Sequence, residues 1–403
     1  MEGLRPAGGA IGRAVASGTN GSAITSRWRR NSDPPPQPEG RALKQGAPDT
    51  DPVSIRRALS ERITGQTSQI QRISVLLSMH LRRRRDASAS QVAPNAVVLG
   101  PTGCGKTFTF RVAADQLDVP FVAVDTTALV PSGVVGLQIE DVMGDLVASA
   151  ESILRRSGIT RRAGDSIELA ERGILFFDEF DKIRTAGSEA AQSLQNRQVQ
   201  RRLLKICEGA AVPVSVRSHE GAPSTPATVR TRGILIIAAG SFAGIAEGRD
   251  PQSLHEISSL DLIEFGFAPE LIARLPIVVQ YDALTTSDLV AILDDAEVSP
   301  LTMWREFLDG VGGRLTLTHE AALAIAERAH ELRLGARGLH QITFPILSRL
   351  MDQAFSDTDP VTDLELTVED VTAGLRDGHL APRARSRQPT DEVASPAGVS
   401  RTE

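Results

Sequence analysis

Residues 100–107 read Gly100-Pro101-Thr102-Gly103-Cys104-Gly105-Lys106-Thr107 and match the phosphate-binding pattern G-x-x-x-x-G-K-[ST] at every fixed position. The preceding run Ala96–Leu99 is apolar and predicts a buried strand. The following segment Phe108–Leu117 has apolar residues at helical spacing. A strand, a glycine-rich turn and a helix N-terminus direct backbone N–H groups and a positive dipole end at an anion. We therefore expect Lys106 to reach the β- and γ-phosphates of ATP and the Thr107 hydroxyl to bind Mg²⁺.

A second motif lies downstream, where Gly173-Ile174-Leu175-Phe176-Phe177 is followed by Asp178 and Glu179. An apolar run that ends in two acids predicts a buried parallel strand with carboxylates at its carboxyl end. Ligands bind at that end of the strands in open α/β sheets. We expect Asp178 to hold Mg²⁺ through water and Glu179 to polarise the attacking water. Alone, the pattern also fits an ordinary buried strand; after a phosphate loop it favours ATP hydrolysis.

The rest of the chain predicts an α/β fold of the P-loop NTPase type, with a parallel sheet flanked by helices. Further strands are expected at 119–125, 233–240 and 277–279. The segment 51–85 predicts two helices, capped by Asp51 and interrupted at Thr64-Gly65-Gln66. Candidate helices then follow at 140–156, 198–208, 287–293, 303–308, 320–332, 339–355 and 368–375, with a strand at 361–366.

Composition divides the chain into four regions. Residues 1–50 and 379–403 are rich in Gly, Pro, Ser and Arg and are predicted to be disordered tails. Residues 51–283 are expected to form the large ATPase domain, and residues 284–378 a small, mostly α-helical lid. The segment between Val212 and Thr228 is rich in Pro, Ser and Thr and predicts a surface loop or a hairpin.

Charge and cysteine content narrow the function classes. The formal net charge of −6 argues against a nucleic-acid partner. The basic run 27–30 is interpreted as part of a solvated tail, with a docking peptide as the more specific alternative. The basic run 82–85 is interpreted as a solvated helix end, with nucleic-acid contact as the more specific alternative. Only two cysteines occur, one of them inside the phosphate loop, which argues against a disulfide framework. No apolar run approaches the ~18 residues needed to span a membrane, and no secretory leader is evident, so we expect a cytoplasmic protein without a membrane partner.

With both motifs placed, residues 51–378 resemble the AAA+ ATPases of the ClpX/HslU unfoldase family, and ClpX more closely than HslU. Six segments carry the resemblance in the family's order. They are the phosphate loop, Asp178–Ile183 (the family's DEIDKI), Leu203–Gly209 (LLKLIEG), Ala239–Gly244 (GGAFAG), Pro269–Pro276 (PEFIGRLP) and Gly335–Leu339 (GARGL).

The resemblance implies roles by position. Arg274 matches the arginine finger, which reaches the γ-phosphate of the neighbouring subunit, and this implies a homo-hexamer. Arg337 matches the sensor-2 arginine of the small domain. Ile63 and Thr64 match the segment that borders the adenine. At the sensor-1 position Ala239 stands where a polar residue is expected, and Ser241 is the nearest hydroxyl.

Several positions depart from the family's pattern. The first pore loop reads Gly133-Val134-Val135-Gly136, and valine offers less contact area to a translocating polypeptide than the family's tyrosine. The tail before residue 51 has no cysteine for a zinc-binding module, and no Ile/Leu-Gly-Phe tripeptide occupies the protease-docking position. Phe265-Gly266-Phe267 lies nearby but belongs to the arginine-finger box, and Arg217-Ser218-His219 only weakly matches a second substrate loop.

Four functions therefore compete. The first is an ATP-driven protein unfoldase or remodeller that acts on protein substrates without a peptidase. The second is the same motor feeding a ClpP-like peptidase through an unrecognised docking element. The third is a nucleic-acid motor, against which the acidic net charge argues. The fourth, an ATP-binding assembly protein without catalysis, is disfavoured because Lys106, Asp178, Glu179, Arg274 and Arg337 are all present.

Overall fold

The computed structural model describes residues 50–85, 93–130, 136–158, 164–187, 189–216, 225–245, 257–356 and 363–376. All of them belong to one compact unit, Gly46–Glu403. Its helices are α1 (Pro52–Ser60), α2 (Thr67–Arg85), α3 (Lys106–Gln116), α4 (Ile139–Arg156), α5 (Asp165–Ala170), α6 (Ala190–Glu208), α7 (Ser259–Glu264), α8 (Pro269–Ile272), α9 (Thr286–Asp294), α10 (Thr302–Gly310), α11 (His319–Glu331), α12 (Ala336–Ser356) and α13 (Val368–Arg376). Its strands are β1 (Ala96–Leu99), β2 (Phe121–Asp125), β3 (Ile174–Asp178), β4 (Ala211–Val216), β5 (Thr225–Arg230), β6 (Leu235–Gly240), β7 (Ile277–Gln280), β8 (Arg314–Leu317) and β9 (Asp363–Leu366).

A five-stranded parallel sheet forms the centre of the fold, in the order β2-β3-β6-β1-β7. Every residue of β1 and β6, and all but the last residue of β3, is buried, which explains why these strands are apolar without alternation. Because the strands are parallel, their carboxyl ends share one edge of the sheet. The strand β1 lies between β6 and β7, so the loop that follows it emerges near the middle of that edge.

Successive strand residues point to opposite faces and build two apolar layers. On one face, Leu175 and Phe177 of β3 pack with residues of α4, α6, α7 and α8. On the other face, Ile174 and Phe176 pack with residues of α1, α2 and α3. The sheet is therefore covered on both sides, and the predicted α/β class with helices flanking a parallel sheet is confirmed.

A third apolar cluster lies within residues 284–375 and is formed largely by α9, α11, α12 and α13. The two-stranded sheet β8-β9 covers one side of it through Leu315 and Leu366. This cluster begins at Leu284, whereas the large-sheet clusters end at Tyr281. The C-terminal region thus has a mostly helical core of its own.

Most predicted elements are found with small shifts at their ends. Asp51 caps α1 as expected, since its Oδ1 accepts hydrogen bonds from the backbone N–H groups of Val53 (2.8 Å) and Ser54 (3.1 Å). The stretch 212–228, predicted as a surface loop or a hairpin, overlaps the antiparallel strand pair β4-β5, which spans 211–216 and 225–230. The prediction for α6 was too short, because the helix begins at Ala190; its polar first turns carry no apolar period. The short elements α5 and β8 were not predicted. In the described part of the chain, no helix is long and apolar enough to cross a membrane.

The aromatic contacts of Phe176 should dominate the stability of the layer beneath α3. Phe176 is fully buried, and its ring centroid lies 5.6 Å from that of Phe110 and 6.1 Å from that of Phe121. We expect Phe176→Ala to lower the free energy of unfolding by about 3–5 kcal/mol through lost contacts and a cavity. Urea unfolding followed by circular dichroism measures this loss. Leu194→Ala is the matched control, because Leu194 is 60% exposed, and its effect should stay within about 0.5 kcal/mol. An equal effect of both substitutions would contradict the prediction.

Candidate nucleotide-binding site

The phosphate loop leaves the carboxyl end of β1 and enters α3 at Lys106. The ammonium group of Lys106 donates hydrogen bonds to the carbonyl oxygens of Gly100 (2.7 Å) and Pro101 (2.9 Å), so it lies inside the curve of the loop. Cys104 is buried beside it, and burial raises the pKa of this thiol. A neutral thiol adds no negative charge to the loop beside the Lys106 ammonium group.

The two sequence motifs meet directly. The Thr107 hydroxyl donates a hydrogen bond of 2.8 Å to Oδ2 of Asp178, across 71 positions of the sequence. The carbonyl oxygen of Asp178 accepts a 2.5 Å hydrogen bond from the Thr126 hydroxyl at the end of β2. Three loops at the carboxyl edge of the sheet are thereby tied together around the predicted phosphate position.

Glu179 follows Asp178 in an uncommon backbone conformation. Its φ is 53°, in the left-handed region, and its N–H donates to Oδ1 of Asp178 at 2.9 Å. Such a conformation in a residue other than glycine costs free energy and clusters at functional sites. The turn carries the exposed Glu179 away from the strand while Asp178 stays at the strand end. The two carboxylates therefore have different surroundings, as their different predicted tasks require.

A third acid, Asp181, was not predicted as part of the site. It is 6% exposed, and its two oxygens accept hydrogen bonds of 3.1 Å from the N–H and the hydroxyl of Ser241. A Cβ atom at Gly240 would stand 2.3 Å from Oδ1 of Asp181, so only glycine allows this close approach. The structure thus links Ser241, the hydroxyl nearest to the sensor-1 position, to the acid-bearing turn after β3. The residue pattern Asp-Glu-x-Asp was the only sequence signal for Asp181.

The C-terminal helical region packs against the phosphate loop. The N–H of Ala336 donates to the carbonyl oxygen of Gly103 at 3.0 Å. A Cβ on Gly335 would lie 2.6 Å from that oxygen, and a Cβ on Gly103 would lie 2.2 Å from the carbonyl oxygen of Leu334. Arg337 follows in the first turn of α12 and is exposed. The structure therefore places the expected sensor-2 arginine one residue beyond a direct contact with the phosphate loop.

The segment expected to border the adenine lies at the other side of the loop. Ile63 is buried in the layer that contains Cys104. Beyond Thr64, the side-chain amide of Gln66 donates to the carbonyl oxygen of Asp282 at 2.8 Å, and Gln69 donates to that of Gln280 at 2.8 Å. These glutamines hold the turn between α1 and α2 at the end of β7. Sequence reasoning missed both of them, because their partners are backbone groups more than 200 positions away.

Arg274 lies at the opposite edge of the sheet from the phosphate loop. It precedes β7, and Ile277 of β7 pairs with Ala96 at the start of β1. The four residues of β1 rise by about 13 Å between that edge and Gly100. The side chain of Arg274 is 47% exposed, and its Nη2 lies 3.3 Å from Oε1 of Glu208. Arg274 therefore lies near the end of the sheet opposite the phosphate loop of its own chain, with its side chain about half exposed.

Other predicted residues are not all covered by the structure. Gly133, Val134 and Val135 of the pore loop lie outside the described residues, as do Arg217-Ser218-His219. Gly136 is described, and the pairing of Leu129 with Leu137 closes the base of this loop. Phe265-Gly266-Phe267 lies in an aromatic cluster, where Phe267 is 3% exposed and stacks on Phe180 at 4.8 Å. This tripeptide is part of the core rather than an exposed docking element.

The donor set fits a magnesium ion that is shared with phosphates. Thr107 and Asp178 supply one hydroxyl and one carboxylate oxygen, and Mg²⁺ prefers such hard ligands together with phosphate oxygens and water. In the described ranges, no cluster of three or more His, Cys, Asp or Glu residues could hold a metal by itself. The ion would therefore depend on the nucleotide for the rest of its ligands.

Comparison with known proteins agrees with this geometry. The family described as "AAA domain (Cdc48 subfamily)" matches residues 93–278, so this part of the chain is an AAA domain and the protein is a nucleotide-binding ATPase. Curated relatives extend the similarity well beyond that domain. One is the ATP-dependent Clp protease ATP-binding subunit ClpX 2 of Wolinella succinogenes, 32% identical over 78% of this chain and 80% of the relative. Another is the ATP-binding subunit ClpX of Bacteroides fragilis, 30% identical over 82% of this chain and 83% of the relative. The chain belongs to the ClpX family of AAA+ ATP-dependent unfoldases.

The contact between Gly335 and the phosphate loop should control nucleotide binding. In Gly335→Ala the new Cβ would meet the Gly103 carbonyl oxygen at 2.6 Å, and φ is +55° there, so the loop must shift. We expect nucleotide affinity to fall about tenfold, which corresponds to about 1.4 kcal/mol. Titration with a fluorescent nucleotide measures this change, and circular dichroism verifies the fold. Gly310→Ala is the matched control, since nothing lies within 4 Å of its added Cβ. Equal affinities for the two variants would disprove the proposed coupling.

Proposed function

We propose that this chain works as a ring-forming motor, a homo-hexamer that hydrolyses ATP to unfold or remodel protein substrates. The hydrogen bond between Thr107 and Asp178 carries this proposal, because it assembles the phosphate-binding and acidic motifs into one site. The relatives are ATP-binding subunits of a Clp protease, which supports the same activity. We further propose residues 51–283 as the large domain and residues 284–378 as the lid, supported by their separate apolar cores.

The residues of one protomer would divide the work. Lys106 and the loop of residues 100–107 would bind the phosphates of ATP, and Thr107 with Asp178 would hold Mg²⁺. The bound ion would neutralise part of the triphosphate charge. Glu179 would orient and deprotonate the attacking water, because its turn presents the carboxylate in front of the strand ends. Ile63 and Thr64 would border the adenine.

The finger and the sensor would make catalysis depend on assembly. Arg274 lies at the sheet edge opposite its own phosphate loop, so it would stabilise developing charge only at a neighbour's ATP. Arg337 would contact the γ-phosphate in its own protomer. Because Ala336 bonds to Gly103, a change at the phosphates would be passed to the lid and from there to the pore loop at residues 133–136.

The presence or absence of a peptidase partner separates the first two competing functions. The relatives are named as protease subunits, which favours a ClpP-like peptidase partner, whereas no docking tripeptide is recognised in the sequence. Co-purification with such a peptidase would favour the protease-coupled alternative over a free-standing remodeller. We also propose a cytoplasmic location, in accord with the two free cysteines, Cys104 and Cys207.

Glu179→Gln should separate ATP binding from ATP hydrolysis. The amide cannot accept the proton of the attacking water, so the ATPase rate should fall by about 100-fold or more while nucleotide affinity stays within about twofold. A phosphate-release assay and a nucleotide titration measure the two quantities. Glu189→Gln serves as the control, because Glu189 is exposed and makes no side-chain cap contact. Hydrolysis at the wild-type rate would rule out Glu179 as the base. The Glu179→Gln protein, held with ATP, also provides a trap for protein substrates in cell extract.

Mixing two inactive variants should restore activity if Arg274 acts across protomers. Arg274→Ala alone should lower the ATPase rate by about 1,000-fold, and Lys106→Ala should abolish nucleotide binding. In a mixed assembly, a Lys106→Ala protomer still donates a finger to an intact phosphate loop on an Arg274→Ala protomer. We therefore expect ATPase activity to reappear on mixing, measured against the ratio of the two proteins. Activity that stays absent at every ratio, in assemblies shown to be mixed, would contradict the trans arrangement.

A further inference from the structure

Asn95, the last residue before β1, has a fully buried polar side chain, which is only 1% exposed. Both ends of its side-chain amide are hydrogen-bonded. Oδ1 accepts a hydrogen bond from the N–H of Ile236 at 2.9 Å, and Nδ2 donates one to the carbonyl oxygen of Arg274 at 3.2 Å. Burying an amide costs free energy unless it is hydrogen-bonded, so these two bonds fix the side chain in one orientation.

The two partners of Asn95 lie on opposite sides of β1. Ile236 belongs to β6, and Arg274 precedes β7, and these two strands are the neighbours of β1 in the sheet. The pairing of β1 with both strands begins at Ala96. The side chain of Asn95 therefore joins the same two neighbours one residue before the ladder begins. It ties the segment that carries Arg274 to the centre of the sheet.

The bond from Asn95 also completes the anchoring of the Arg274 backbone. The N–H of Arg274 donates to the carbonyl oxygen of Leu271 at 3.0 Å, and Asn95 supplies a donor for its carbonyl oxygen. Leu271 and Leu275, on either side of Arg274, are buried. The side chain of Arg274, by contrast, is 47% exposed, and its Nη2 lies 3.3 Å from Oε1 of Glu208. The base of this side chain is thus held firmly while its guanidinium end stays near the surface.

This anchoring requires an amide at position 95. An asparagine side chain carries an acceptor and a donor on separate atoms, and both are used here. Leucine has a similar size but neither group, so it would leave the carbonyl oxygen of Arg274 without this bond. The backbone at Arg274 could then shift, and a displacement of about 1 Å in a group that acts on the transition state can lower a rate about 100-fold.

We propose that Asn95 is a positioning residue for the arginine finger and acts through the backbone of Arg274 on the ATP of the adjacent protomer. The inference rests on the trans role proposed for Arg274 and adds the residue that sets the starting point of that side chain. It has a directional consequence. Loss of Asn95 should matter in the protomer that donates the finger and not in the protomer that holds the ATP. A role in folding alone would give equal effects in both.

The test uses mixed assemblies of a Lys106→Ala protomer, which donates the finger, and an Arg274→Ala protomer, which holds ATP. Asn95→Leu is introduced into one protomer or the other. In the Lys106→Ala protomer it should lower the recovered kcat about tenfold or more and leave KM for ATP within about twofold, because only the finger is displaced. In the Arg274→Ala protomer both constants should stay within about twofold, since that protomer has no finger to position. A phosphate-release assay measures the rates, and mass photometry verifies equal assembly.

Ser299→Ala is the matched control for losing a buried polar bridge. Ser299 is 6% exposed, its hydroxyl donates to the carbonyl oxygen of Leu293 at 2.7 Å, and the hydroxyl oxygen accepts from the N–H of Leu301 at 3.2 Å. Its effect should not depend on which protomer carries it. Urea unfolding verifies that each variant folds. Asn95→Ser decides the question if the leucine variant does not fold, and it should show a loss in the same protomer.

Equal losses with Asn95→Leu in either protomer would overturn the inference, and so would the absence of a loss in the finger-donating protomer. In both cases the parent pair still recovers activity, and the trans arrangement stands. A parent pair that stays inactive in assemblies shown to be mixed would instead overturn the trans arrangement, and the role of Asn95 with it.

Discussion

The hydrogen bond between Thr107 and Asp178 is the constraint on which the site depends. It joins the first turn of α3 to the end of β3, and the packing of Phe110 on Phe176 supports the same pair of elements from below. A hydroxyl and a carboxylate at this separation suit a small divalent cation only when phosphate oxygens complete its ligands. We therefore propose this geometry as a site for a metal–nucleotide pair, held in place by the two apolar layers around the sheet.

The glycines at the site act through contact as much as through backbone freedom. Gly103 and Gly335 let two backbone segments that are far apart in sequence approach closely. The N–H of Ala336 can then donate a hydrogen bond to the carbonyl oxygen of Gly103. This approach links the phosphate loop to the helical region that carries Arg337. A motor of this kind requires such a link, because binding energy at the phosphates must be converted into movement elsewhere in the chain.

The opposite edge of the sheet has a different character. There the described side chains include Arg274 with its partner Glu208, and the unpartnered nitrogens of Arg83. We propose that the carboxyl edge receives a triphosphate, whereas the arginines Arg274 and Arg83 lie toward the amino edge. The length of the parallel strands separates the phosphate loop from Arg274 within one chain. Assembly in a ring would bring the phosphate loop of one protomer close to Arg274 of the next.

The sequence alone determined the phosphate loop, the acidic strand end and the α/β class, because these features depend on local patterns and on fixed spacing. Asp51 as a helix cap and the break at Gly65 were predictable for the same reason. Only the tertiary structure revealed Asp181 beneath Ser241, Gln66 at the end of β7, and the contact between Gly103 and Gly335. These contacts depend on segments that are distant in sequence meeting in space. In the glutamine and glycine contacts one partner is a backbone atom, and backbone atoms leave no trace in the residue pattern. Arg83 is another example, since four adjacent arginines look alike in sequence and its buried, unpartnered nitrogens are evident only in the folded chain.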